Sequence, residues 1–237
     1  MKLSIVIPMY NESEIIKNTA ISLSEYMQNN FDSYEIIFSD DGSSDKSADV
    51  VNSLSLDCVS VIENDKNHGK GRAVREGVKK AKGEIIIFTD ADLAYGTDVI
   101  GQAYDFISNK NGDIVIGSRN LDKSGYGDYP RLRAMFSKMY IKAICLIGGL
   151  KISDSQCGFK AFKSDVAKKV FSLSEVDGFA FDMEIIMLAK KMGAKFTELP
   201  VHVVSHSKSS VSVLKDGIKM LSDLVKIKRR ISKTDFK

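Results

Sequence analysis

Long apolar runs, a cysteine framework, a dominant charge and internal repeats are all missing from this sequence. No uncharged apolar stretch reaches the ~18 to 20 residues that a membrane-spanning helix needs, so the chain is not expected to cross a bilayer by itself. Its three cysteines, Cys58, Cys145 and Cys157, are odd in number and widely spaced, which fits neither a disulfide framework nor a zinc ribbon. A reducing cytoplasm is therefore the expected setting. The 34 basic and 31 acidic residues leave a net charge of only +3, and aromatics do not interleave with a basic stripe. Nucleic acid is not an expected partner. The chain runs from its first residues straight into a strand pattern, Leu3-Ser4-Ile5-Val6-Ile7, so no signal peptide is expected.

What is present suits one large globular domain: 237 residues, 43% hydrophobic and 27% charged. Apolar β-type runs at Leu3 to Ile7, Tyr34 to Phe38, Val59 to Ile62, Ile85 to Phe88 and Ile114 to Ile116 alternate with helix-length segments. That alternation predicts an α/β fold with a mostly parallel sheet covered by helices on both faces. Lys70 to Lys80 carries Ala73, Val74 and Val78 on one helical face, with Ala81 beyond it, and Gly83 stops it; Ser44 is placed to cap a helix starting at Asp45. After Ser118 a polar loop runs to Pro130. Helix (about Leu132 to Leu146), strand (Phe159 to Phe162), helix (Phe181 to Met192), strand (Phe196 to Val204) and a closing helix (about Val211 to Ile231) follow.

Four strand ends carry polar motifs. Asp90-Ala91-Asp92 follows the apolar run Ile85 to Phe88, so both carboxylates should emerge where open α/β sheets place their ligands. Two hard oxygen ligands on this spacing suit Mg²⁺ or Mn²⁺ bound to a diphosphate; a pair of solvated turn residues is the plainer alternative. Pro8-Met9-Tyr10-Asn11-Glu12 follows the first strand, where Pro8 should end strand pairing and Asn11 either faces a ligand or caps a helix. Asp40-Asp41-Gly42-Ser43-Ser44-Asp45 follows the second, with carboxylates able to accept from a base N–H or ribose hydroxyls. Asn67-His68-Gly69-Lys70-Gly71-Arg72-Ala73-Val74-Arg75 is a glycine-broken basic loop opening a helix: a phosphate cradle, or a solvated basic helix face. It lacks the Walker spacing.

Taken together in this order, these motifs resemble family 2 glycosyltransferases of the GT-A fold, and most closely the branch that transfers sugars to dolichyl or polyprenyl phosphate. The resemblance runs from about Leu3 to Lys208. It includes Gly117-Ser118-Arg119, Arg133 with Ser137, Asp154 to Lys160, Phe179 to Glu184, Glu198 to Val201 and Ser207-Lys208. Gly-Lys-Gly-x-Ala-Val-Arg, Asp-Ala-Asp-Leu-Ala and Gln-Cys-Gly-Phe-Lys look more like the dolichyl-phosphate glucosyl enzymes than the mannosyl ones. The resemblance implies a nucleotide-sugar site of Pro8, Tyr10, Asn11, Glu12, Asp41, Lys70, Gly71, Arg75, Asp90, Ala91 and Asp92, with Asp90 and Asp92 on the metal. It implies an acceptor-phosphate site of Arg119, Arg133, Ser137 and Lys208, and catalytic roles for Asp92, Arg119, Arg133, Asp182 and Glu184. UDP-glucose is the implied donor.

An alcohol acceptor needs a general base, whereas a phosphate monoester, with its second pKa near about 6, is already largely ionised and needs positioning. The expected reaction is therefore inverting transfer of a hexose to a polyprenyl phosphate, with Asp182 and Glu184 shaping the sugar pocket or orienting an arginine. The acids' plainer role is to complement a helix N-terminus. Transfer to a glycan hydroxyl, transfer of mannose from GDP-mannose, and a non-catalytic nucleotide-sugar-binding scaffold subunit are the rivals. Cys157 reads as a small buried hydrophobe, and His68, His202 and His206 have no metal-ligand spacing.

Residues 1–210 should form the catalytic domain and 211–237 a basic amphipathic helix, either part of that domain or a contact for a membrane or membrane-spanning partner. In that helix Leu214, Ile218, Leu221, Val225 and Ile231 recur at helical spacing beside six basic residues from Lys215 to Arg230. Ala134 to Leu150 reads as either an interfacial helix or a core helix. The expected location is the cytoplasmic face of a membrane, bound peripherally.

Overall fold

The computed structural model describes residues 2–110, 112–122, 135, 138, 141, 142, 145–204 and 213–233. In chain order these form β1 (Leu3–Met9), α1 (Ile16–Asn30), β2 (Tyr34–Asp40), α2 (Ser47–Ser53), β3 (Val59–Glu63), α3 (Lys70–Lys80), β4 (Ile85–Phe88), α4 (Asp98–Lys110) and β5 (Ile114–Ser118). There follow β6 (Lys160–Lys163), α5 (Ser164–Leu173), α6 (Phe181–Lys191), β7 (Phe196–Pro200) and α7 (Val213–Lys233). The strands make one seven-stranded sheet of order β3-β2-β1-β4-β6-β5-β7. All neighbours are parallel except β6, which runs antiparallel between β4 and β5.

The apolar runs follow from this burial. β1, β4 and β5 are buried along their whole length, because helices cover both faces and leave no position for a solvated side chain. Successive residues alternate between two cores. Val6, Ile86, Phe88 and Ile116 face α3, α5, α6 and α7, while Ile5, Ile7, Ile87 and Val115 face α1, α2 and α4. On the first face Phe88 anchors an aromatic group, with ring centroids of Phe162, Phe171 and Phe181 at 6.1, 6.3 and 5.8 Å.

Several local expectations are corrected. Pairing does not stop at Pro8: β1 continues with Pro8 opposite Ser39 and Met9 opposite Asp40. Pairing with β4 ends at Val6 opposite Phe88, and alternation turns the Pro8 nitrogen to that side, where no strand requires a donor. Helix α2 begins at Ser47, not Asp45, and its first turn is capped by Asp45, whose carboxylate accepts the Ser47 N–H at 3.0 Å. Ser44 bonds Asn11 instead. β7 ends at Pro200 rather than Val204, although Val201 N–H still donates to Ser118 O. Of the Ser118-to-Pro130 loop, residues 123–130 lie outside the described residues.

The two segments considered for membrane contact are both tied to the core. In the 134–150 segment Ile141, Cys145 and Leu150 are buried, whereas Leu146 is 81% exposed. The inward line of α7 is Leu224, Ile227 and Ile231, and Val225 is turned outward; the side chains of Leu214, Ile218 and Leu221 lie outside the described residues. Lys191 Nζ donates to Ile231 O at 2.6 Å and Lys228 Nζ to Ile147 O at 2.8 Å, closing carbonyls that the helix ends leave open. The C-terminal half of α7 is thus packed as a layer of the same domain. Among the described residues no helix is long and apolar enough to cross a membrane. Ile227→Ala should cost about 2–5 kcal/mol in urea unfolding, the usual loss for truncating a buried isoleucine, whereas a peripheral helix would leave the midpoint unchanged.

Candidate active site

The parallel strands β1, β2 and β4 deliver their C-terminal loops to one edge of the sheet. The first two loops lock together. Asn11 N–H donates to Ser43 Oγ at 2.8 Å, Ser44 N–H returns to Asn11 Oδ1 at 2.9 Å, Glu12 N–H reaches Ser47 Oγ at 2.8 Å and Ser13 N–H reaches Asp45 Oδ2 at 2.9 Å. Asn11 holds a positive φ of 55° and braces this junction; it caps no helix, since α1 starts at Ile16. Tyr10 stands exposed above it. Burial, and then Asp92, Asp45 and Asp90, raise the Glu12 carboxyl above its ordinary range, which marks a concentration of negative charge at this edge.

The glycine-broken loop is occupied by the protein itself. Asp41 is buried and accepts from Asn64 Nδ2 at 2.9 Å, His68 N–H at 3.1 Å and Gly69 N–H at 2.6 Å. Gly71 N–H donates to Asp177 O at 2.7 Å and Arg72 N–H to Gly69 O at 3.0 Å. Four of the loop's backbone donors, those of His68, Gly69, Gly71 and Arg72, are therefore already bonded within the protein. The glycines answer a different need: a Cβ on Gly69 would meet Asp177 O at 2.5 Å, and one on Gly71 would meet Val176 O at 2.5 Å and Phe181 Cβ at 2.6 Å. They let the 176–178 turn lie on the start of α3. Arg75 serves the same contact, being buried with its guanidinium on Asp177 and on Ser174 O at 3.2 Å. Beside this turn a cavity of about 650 Å³ opens, bordered by His68, Gly69, Phe179, Ile227 and Arg230.

Lys70 is the part of the loop that reaches the strand ends. Its Nζ pairs with Asp90, and although burial opposes the charge, Asp90 and Asp182 hold the ammonium pKa above its ordinary value. A second pair stands behind it: Lys160 of β6 is fully buried, bonded to Asp182 of α6 and to Cys157 O at 2.7 Å. Burial raises the Asp182 carboxyl, with Lys160 and then Lys70 acting against it. Glu184, two residues on, is turned elsewhere; it accepts Glu175 N–H at 3.0 Å and Val176 N–H at 3.0 Å and pairs with Arg230 of α7. Orientation of an arginine is thus the role the geometry gives it.

Arg119, just past β5, forms a two-pronged bond with Asp154, Nε to Oδ2 at 2.7 Å and Nη2 to Oδ1 at 3.0 Å. Asp154 is 0% exposed, so it is a buried counterion and not a solvated turn residue. Its loop is held in turn by Glu198 of β7, which accepts Ser153 N–H at 2.7 Å and Ser153 Oγ at 2.6 Å. Arg133, Ser137 and Lys208 lie outside the described residues. His68 pairs with Asp65 at 2.8 Å and His202 approaches Asp122 at 3.8 Å; His206 lies outside the described residues. Sequence reasoning missed Lys160, Glu198 and Arg230 as organisers. The signal for Lys160 was a lysine in a short apolar strand, which burial must match with an acid.

Asp90 and Asp92 suit a divalent cation. Both offer hard oxygen, an ammonium already sits on Asp90, and Gly158 backs the site so closely that a Cβ there would fall within contact distance of Asp90 Oδ2. Among the described residues no group of three or more His, Cys, Asp or Glu side chains is arranged to hold a metal. Further ligands would have to come from a bound molecule or water.

With this geometry in hand, comparison with known proteins is informative. The glycosyl transferase family 2 model matches residues 4–171. The chain is 31% identical over 238 residues to a dolichyl-phosphate beta-glucosyltransferase of Trichomonas vaginalis, across 95% of this chain and 72% of that protein. It is 31% identical to the dolichyl-phosphate beta-glucosyltransferase of Saccharomyces cerevisiae, across 95% and 74%. A solved structure of glucosyl-3-phosphoglycerate synthase from Mycobacterium tuberculosis with Mn²⁺, UDP-glucose and phosphoglyceric acid superposes with a TM-score of 0.71 at 15% identity, covering 99% of this chain and 81% of that one. The fold is GT-A.

Burial pushes the Cys157 thiol up to about 11, and Cys58 is the exposed cysteine. At pH 8 a thiol of that pKa is ionised to only about one part in 10³. Ellman's reagent should therefore titrate Cys58 alone in the native protein and all three cysteines in guanidinium; a second fast native thiol would contradict the packing of the 154–158 loop.

Proposed function

The chain belongs to glycosyl transferase family 2, and we propose that it transfers glucose from UDP-glucose, with inversion, to the phosphate of a polyprenyl carrier. One observation carries the choice of acceptor. Each carboxylate considered as a general base is already committed: Asp154 to Arg119, Asp182 to Lys160, and Glu184 to Arg230 and two backbone N–H groups. A carboxylate bonded to a buried cation is held in place by that cation, and a general base must first be within reach of the proton it takes. A phosphate monoester asks for none, since it is largely dianionic near neutral pH. Similarity over most of the chain to dolichyl-phosphate beta-glucosyltransferases supports the same acceptor and sugar.

In the proposed reaction a phosphate oxygen of the acceptor attacks the anomeric carbon as the bond from that carbon to the UDP oxygen breaks, and UDP leaves with the electron pair. No proton changes hands. Asp90 and Asp92 would hold Mg²⁺ or Mn²⁺, which when bound offsets charge on the donor diphosphate. The protein's own task is to bring two anions together. Lys70 supplies positive charge beside the donor, and Arg119, oriented by Asp154, supplies positive charge for the acceptor phosphate. The Tyr10, Asn11 and Glu12 loop and the Asp41 loop frame the nucleoside. Peripheral attachment to the cytoplasmic face of a membrane completes the proposal, supported by exposed Leu146 and Met135 and by the basic outer face of α7 at Lys226 and Arg229.

A short-chain polyprenyl phosphate should be glucosylated while the matching polyprenol stays inert. Single-turnover rates of Asp154→Asn, Asp182→Asn and Glu184→Gln should fall without loss of a basic limb; a limb lost together with a drop of about 10³ or more would instead identify a base and a hydroxyl acceptor. Asp92→Ala should lower turnover by more than the ~10–100-fold that losing even an outer partner of a metal ligand costs, with the thermal midpoint retained. Unchanged turnover would remove Asp92 from the chemistry.

A further inference from the structure

We infer that Lys70 is an exchangeable counterion that makes divalent-cation binding depend on the nucleotide: it holds Asp90 in the empty enzyme and releases it when a nucleoside diphosphate draws the ammonium away. The inference rests on the proposed metal role of Asp90 and Asp92. The two lysines of the site differ in what they are free to do. Lys160 is fully enclosed, fastened to Asp182 and Cys157 O, with its ammonium 5.4 Å from the Phe88 ring centroid. Lys70 is not: its side chain and that of Asp90 remain 22% and 30% exposed, so the pair opens on the cleft.

Three further observations point the same way. The N–H groups of His68, Gly69, Gly71 and Arg72 are bonded within the protein, and the loop's charge that reaches Asp90 is the part-exposed Lys70 side chain. A lysine has a compact charge on a long flexible stem, which lets it move between carboxylate and phosphate without moving the helix. The described residues hold no ready three-ligand metal site, so a cation arriving alone meets a carboxylate already neutralised and finds no third protein ligand. Ammonium and dication cannot share Asp90 without repulsion. A diphosphate resolves the conflict, since its oxygens attract Lys70 and supply the missing ligands. When Lys70 leaves, Lys160 still neutralises Asp182.

The test uses the full chain, wild type and Lys70→Met, with Mn²⁺ alone as the probe and free Mn²⁺ read by its electron paramagnetic resonance signal. Lys70→Met should bind Mn²⁺ without nucleotide more tightly than wild type by about 5–150-fold, the ordinary range of coupling between two sites. Adding Asp90→Asn should remove the gain. In calorimetry with a chelator present, Lys70→Met should bind UDP more weakly than wild type. Equal Mn²⁺ affinity of wild type and Lys70→Met would overturn the exchange while leaving the metal role intact. If neither protein bound Mn²⁺ even with saturating UDP, the metal role would fall and the exchange with it. Lys70→Gln, closer in shape, guards against misfolding: variants that melt early alone and recover with Mn²⁺ support the exchange, and variants that stay unfolded with Mn²⁺ would make Lys70 structural and overturn it.

Discussion

Buried charge must be matched, and at the carboxyl edge of this sheet the matching is done pair by pair. Lys70 with Asp90, Lys160 with Asp182, Arg119 with Asp154 and Arg230 with Glu184 join α3 to β4, β6 to α6, β5 to the 154–158 loop and α6 to α7. Leaving an ion of the two most enclosed pairs, Lys160–Asp182 and Arg119–Asp154, without its partner costs about 3–5 kcal/mol, so these two constrain where their elements sit, whereas Lys70–Asp90 stays part-exposed. The acids needed for binding are in this way fixed by the same contacts that fix the fold.

That economy explains which parts were legible in the sequence. The five alternating apolar runs of the first half each became a strand; β1, β4 and β5 are buried throughout because both their faces are covered, whereas β3, at the sheet edge, is only partly buried. The acids after β1, β2 and β4 were found because strand ends in such sheets are the places where polar residues have a ligand or a loop to meet. The division of labour among those acids was not legible. Asp40, Asp41, Asp45, Asp90 and Asp92 are the same residue type near strand ends, yet Asp41 braces a loop, Asp45 caps α2 and Asp90 faces an ammonium. The roles of Asp41 and Asp90 depend on partners 20 to 28 residues away, and spacing carries no record of them.

The glycines show the same limit from the other side. Gly69 and Gly71 fit the pattern of a phosphate loop, but the backbone that approaches them is the protein's own 176–178 turn. A glycine reports that something comes close and says nothing of what it is. Here it lets α3 carry the turn before α6, and through that turn it sets the position of Asp182 relative to Lys70.

The family model ends at residue 171, within α5, so it takes in β1 to β6 and the acids proposed for the donor. Asp182, Glu184, Phe179 and all of α7 lie beyond it. Of these, Phe179 and α7 border the cavity beside the 176–178 turn, and Arg230 ties α7 to the helix that carries Asp182. α7 is thus joined to α6 by the Arg230–Glu184 pair, by Lys191 on Ile231 O and by the apolar core that Leu224, Ile227 and Ile231 enter. The acids proposed for the donor follow β1, β2 and β4, and Arg119, proposed for the acceptor, follows β5 and is braced through Asp154 and Glu198 of β7, so one sheet sets the spacing between the two proposed sets of charges.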